Sequence, residues 1–92
     1  MVTAIVLIHT AVDQIDEVAQ VLTDIEGVSE VYSVAGDVDL VAMVRVPRHE
    51  LLATTIAGSI NKTPGVVSTR TMIAFQAYSR HDLEAAFALG SA

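Results

Sequence analysis

Apolar residues of both parities fill the first stretch of the chain, Val2-Thr3-Ala4-Ile5-Val6-Leu7-Ile8-His9. Val2, Ala4, Val6 and Ile8 fall on one side and Ile5 and Leu7 on the other, the pattern of a strand covered on both faces. After Asp13, which suits an N-cap, Ile15, Val18, Ala19 and Leu22 recur at helical spacing and predict an amphipathic helix closing at Gly27. Residues 28–34 and 39–46 predict a β-hairpin around the polar turn Ala35-Gly36-Asp37-Val38-Asp39. Pro47 then suits the start of a second helix, whose stripe is Leu52, Ile56 and Ile60 and whose end is Pro64-Gly65. Residues 66–77 predict the last strand, and Ser79 a cap for a closing helix through Leu83, Ala86 and Phe87, stopped by Gly90.

The order is β-α-β-β-α-β plus a tail, and Ile25-Glu26-Gly27-Val28 echoes Thr63-Pro64-Gly65-Val66 at corresponding points of two halves. This is the split βαβ or ferredoxin-like pattern of the α+β class: a four-stranded antiparallel sheet with two helices on one face. It predicts a single domain over residues 1–92, with its core in 2–78 and a tail helix in 79–92.

Helices cover only one face of such a sheet, yet Leu40, Ala42, Val44 and Val46 alternate with Val41 and Met43. The chain is 92 residues long and 52% hydrophobic, more apolar surface than a domain of this size hides alone. The expected cover is the same face of another copy, a sheet-to-sheet homodimer burying roughly 800 Å² per partner.

Charge and composition exclude several functions. Five basic residues against eleven acidic ones give a net charge of −6, the wrong sign for binding nucleic acid. The chain has no cysteine, so disulfides and thiolate metal sites are excluded and a cytoplasmic location is expected. No apolar run reaches membrane-spanning length, and no signal-peptide pattern opens the chain. His9, His49 and His81 lack ligand spacing, so no metal is expected, and no glycine-rich phosphate loop is present.

Two polar groups remain as candidate chemistry. In the hairpin turn, Gly36 supplies unusual backbone angles while Asp37 and Asp39 favour turns. The functional alternative has Gly36 admitting a ligand to the backbone amides and Asp39 presenting a carboxylate to an ammonium group. In the last strand, Thr69 and Thr71 share a face and Arg70 takes the other. That is either a wet strand face or a pair of hydroxyls suited to a small zwitterion.

Both stretches carry a resemblance. "VYSVAGDVDLVAMVRV" has Gly36 and Asp39 in a Gly-x-x-Asp arrangement, and "TPGVVSTRTMIAF" has a Pro-Gly-Val followed by the Thr69/Thr71 pair. They are similar to the hairpin and closing strand of the RAM domain, the effector-binding domain of the Lrp/AsnC (feast/famine) transcription regulators, over residues 2–78. The resemblance implies a non-enzymatic module without cofactor that binds an effector, an amino acid, at contacts between dimers. It places Tyr32, Val34, Gly36 and Asp39 on one side of the pocket, with Thr69 and Thr71 contributed by a neighbouring strand or subunit. Asp39 would pair with the ligand ammonium, while backbone N–H groups and threonine hydroxyls would take its carboxylate.

It further implies dimers that join into octamers or similar rings. Full-length members begin with a helix-turn-helix domain; this acidic chain starts at the first strand of the effector domain and resembles their stand-alone form. Such a form is expected to act by co-assembling with a full-length Lrp/AsnC partner, or by regulating some other partner. Leu40 stands where many relatives have an aromatic residue. Two other readings stay open: an oligomerisation scaffold without ligand, and a dimeric α+β barrel enzyme with His9 as its acid or base.

Overall fold

The structure, a computed structural model, describes residues 1–80. It comprises β1 (Val2–Thr10), α1 (Ile15–Thr23), β2 (Val28–Ser33), β3 (Leu40–Val46), α2 (Glu50–Thr55) and β4 (Val66–Ala74). The second helix continues as a wider π-helical turn over Ile56–Ile60, closed by the Asn61 N–H donating to the Ile56 carbonyl at 2.9 Å. The expected β-α-β-β-α-β order is the observed one. The four strands form one antiparallel sheet in the order β2-β3-β1-β4. The predicted tail helix, residues 79–92, lies outside the described residues from 81 onward.

Alternation along β1 and β3 sorts the sheet into two faces. Ala4, Val6 and Ile8 pair with Val44, Ala42 and Leu40, and all six are fully buried beneath the helices. Val18 and Leu22 of α1, with Leu52 and Ile60 of the second helical segment, complete this core. Fully burying a side chain such as Leu22 or Leu40 contributes about 1.5–3 kcal/mol, which drives both helices onto this face. The opposite face carries Ile5, Leu7, Val41 and Met43, only partly buried, and Met72, 51% exposed.

Helix starts differ from the expectation by one to three residues. A turn closed by the Gln14 N–H on the Ala11 carbonyl leads into α1, so Gln14 takes the cap position expected of Asp13. That helix ends at Thr23, and the turn residues Asp24 to Gly27 carry the chain into β2. Likewise Pro47 precedes α2 rather than opening it, because the Leu51 and Leu52 N–H groups close turns on the Arg48 and His49 carbonyls. β4 stops at Ala74, short of the predicted residue 77.

Candidate functional site

The chain reverses direction so that three connections meet at one end of the sheet: β1 to α1, the β2–β3 hairpin, and the π-helical turn to β4. Asp39 is the centre of that corner. Its N–H donates to the Ile8 carbonyl at 3.0 Å, and its own carbonyl accepts from Val34 N–H at 3.1 Å. Its carboxylate Oδ2 accepts from Thr10 N–H at 2.9 Å. The side chain thus takes the place of a strand at the end of β1, where the pairing with β4 slips between His9 and Thr10.

Thr10 was not legible as a site residue. It is 7% exposed, and its hydroxyl has no hydrogen-bond partner among the described residues. Unsatisfied buried hydroxyls are uncommon, and this one belongs to the residue that holds the Asp39 carboxylate. Val38, expected as part of a polar turn, is instead buried and anchors the hairpin tip. Gly36, by contrast, faces open space: a Cβ built on it would meet nothing within 4 Å. Its φ of +145° is backbone that glycine adopts readily and other residues rarely do.

The remaining candidates divide between the two faces. Ile8 pairs with Thr69 and Val6 with Thr71, so both threonines lie on the helix-covered face of the edge strand β4. The Thr69 hydroxyl donates to Asn61 Oδ1 at 2.6 Å, a contact supplied by the residue just past the π-helical turn. Thr71 lines an apolar groove of about 350 Å³ with Leu52, Ala53, Ile56 and Ile73. Tyr32 pairs with Val41 and therefore lies on the open face, on the edge strand at the other side of the sheet. Within one chain, Val34, Gly36 and Asp39 stand together, Thr69 lies at the same end beyond β1, and Tyr32 stands apart.

On the open face, Arg45 forms a salt bridge with Glu30. The hydrogen bond from the Arg45 guanidinium holds the Glu30 carboxyl below its ordinary value; the Arg45 charge and the Tyr32 hydroxyl act the same way, and desolvation opposes them. A carboxyl depressed on folding adds stability above its unfolded pKa and loses it as pH falls through the folded one. NMR titration of Glu30 is expected to show a midpoint below the usual glutamate range, returning to it in Arg45→Gln.

Among the described residues no group of three or more His, Asp or Glu side chains is placed to hold a metal ion. No helix among them is long and apolar enough to cross a membrane.

Residues 3–83 match the profile of the Lrp/AsnC ligand binding domain, which is most of the chain. The chain belongs to the Lrp/AsnC ligand-binding domain family. This Lrp/AsnC domain is similar to TTHA0845 from Thermus thermophilus, at 39% identity and a TM-score of 0.82, over 87% of this chain and 100% of that one. It is also similar to the hypothetical protein PHS023 from Pyrococcus horikoshii, at 36% identity and a TM-score of 0.77, over 88% and 98% of the two chains. Escherichia coli AsnC shares its fold at 19% identity and a TM-score of 0.79, with 85% of this chain covering 53% of that one. No curated protein sequence matches the chain. Membership makes this a regulatory, ligand-binding domain of the transcription-regulator family rather than an enzyme.

Proposed function

We propose that this Lrp/AsnC domain senses an amino acid at the hairpin-tip end of its sheet, and that its working unit is a sheet-to-sheet dimer. The observation that carries the reading is the Asp39 corner. There one carboxylate is fixed by a backbone contact beside a buried hydroxyl that has no partner among the described residues, under a glycine turn open to approach. A fixed carboxylate is a partner for an ammonium group, and charge-assisted pairs of this kind are the stronger hydrogen bonds. The Thr71 hydroxyl is suited to the ligand carboxylate, and the Thr69 hydroxyl would join it by turning its proton away from Asn61 Oδ1. Because they stand on β4, beyond β1 from the hairpin, a neighbouring copy is the natural source of the second wall.

The transcriptional regulator NMB0573 of Neisseria meningitidis shares the fold, at 11% identity and a TM-score of 0.76, and its crystal structure is an L-Met complex. An amino-acid ligand in that protein agrees with the chemistry read from Asp39. Dimers of the present chain would join into octamers or similar rings. The signal would leave through a full-length Lrp/AsnC regulator in the cytoplasm, since a net charge of −6 disfavours direct contact with DNA.

Titration of ¹⁵N-labelled protein with the common amino acids tests the site. The amides of residues 34–40 and 68–71 are expected to move and saturate with at least one of them. Saturable shifts confined to other parts of the chain would contradict the assignment.

A further inference from the structure

Thr10 ends the row that Ala4, Val6 and Ile8 begin along β1, three residues fully buried beneath the helices, and is itself 7% exposed. Its hydroxyl is buried and makes no hydrogen bond among the described residues. A hydroxyl in such a place costs the fold stability, and valine would fill the same space without that cost. Yet it belongs to the residue whose N–H holds Asp39 Oδ2 at 2.9 Å. The pairing of β1 with β4 slips between His9 and Thr10, the kind of irregularity that re-aims a side chain beside a binding site.

The carboxylate at this corner has room for more donors. An ionised carboxylate accepts up to about four hydrogen bonds. Among the described residues the Asp39 side chain accepts the one from Thr10, and because the residue is only half-buried, solvent takes the rest. An ammonium group arriving at Oδ1 displaces that solvent, and a carboxylate stripped of water needs hydrogen bonds in its place. The Asp39 backbone is pinned on both sides, its N–H to the Ile8 carbonyl and its carbonyl to Val34 N–H, so the replacement comes from a neighbour at the same corner. Thr10 can supply it. In two of the three staggered positions about Cα–Cβ, a threonine hydroxyl stands gauche to its own amide nitrogen. One of them sets it beside the N–H already bonded to Oδ2, so that N–H and O–H of one residue grip one carboxylate.

We propose that Thr10 is a positioning residue of the effector site, whose hydroxyl turns onto the Asp39 carboxylate when an ammonium group displaces solvent there. This rests on the amino-acid site proposed above and adds the group that completes its anchor. The ligand-free fold carries the orphaned hydroxyl, and binding gives it a partner.

Calorimetric titration of wild type, Thr10→Val and Thr10→Ser with the common amino acids, one at a time, tests this beside thermal unfolding without them. Thr10→Val is expected to melt at or above wild type, yet to bind about 10-fold more weakly the amino acid that wild type binds. Thr10→Ser keeps the hydroxyl and is expected to restore most of the affinity. In labelled wild type, the three-bond couplings from Thr10 Cγ2 to its own N and C′ are expected to change at saturation, as the rotamer does. A purely structural threonine would move stability and affinity the same way, so a Thr10→Val chain that loses both would overturn the proposal. Equal affinity of Thr10→Val and wild type, or couplings that stay constant, would overturn it while leaving the amino-acid site standing. A wild type that binds none of the common amino acids would overturn that site, and the role of Thr10 with it.

Discussion

Gly65→Ala is expected to lower the stability of the fold by about 3 kcal/mol, and with it the melting temperature by roughly 12–24 °C. Two costs combine. Gly65 has a φ of +95°, a left-handed conformation that costs other residues about 1–2 kcal/mol. A Cβ there would also lie 2.6 Å from Val18 Cγ2 and 3.1 Å from Gln14 Oε1. Val18 is fully buried and branched at Cβ, so it has no open rotamer to retreat into, and overpacking of this kind costs about 1–3 kcal/mol. The Gly65 carbonyl also accepts from Ala11 N–H at 2.9 Å, so the displacement reaches the end of β1, beside the Asp39 corner. Gly36→Ala is the control. It carries a backbone cost but meets nothing within 4 Å, and is expected to lose only about 1 kcal/mol. Equal losses for the two variants in thermal unfolding would contradict the packing at α1.

Asp39→Asn separates the binding role of this residue from its structural one. An asparagine oxygen still accepts the Thr10 N–H, so the fold is expected to lose less than about 1 kcal/mol. The ligand ammonium, however, loses its charged partner, a difference of roughly 1.5–3 kcal/mol, or about 10- to 100-fold in affinity. Asp39→Ala removes the acceptor as well and leaves the Thr10 N–H unpaired, costing roughly 1–3 kcal/mol of stability in addition. Calorimetric titration and thermal unfolding of both variants read the two effects independently. If Asn and Ala were equally unstable and neither changed the affinity, Asp39 would serve the turn alone.

Periodicity made the elements legible because each strand's neighbours in the chain reveal its two faces. The apolar residues of both parities in β1 anticipated a central strand, which lies between β3 and β4. Parity says which residues of one strand share a face, but only strand register relates the faces of different strands. Hence Thr69 and Thr71 were rightly grouped, while their separation from Tyr32 emerged only from pairing with Ile8, Val6 and Val41. The Thr10–Asp39 and Thr69–Asn61 contacts were out of reach for another reason. The first joins residues 29 apart and the second depends on a π-helical turn that leaves no periodic trace. Val38 misled through its company: flanked by Asp37 and Asp39, it reads as turn, yet it is buried.

Binding of an amino acid to this domain is read by thermal unfolding of the purified protein against each common amino acid, with light scattering on the hits. A ligand at a hundred times its dissociation constant adds about 2.7 kcal/mol to the stability, a rise in melting temperature of roughly 10 °C or more. Such a rise is expected for at least one amino acid, together with a change in particle mass and loss of both in Asp39→Asn. Assemblies that form normally while no amino acid moves the melting temperature would instead make the protein a scaffold without ligand.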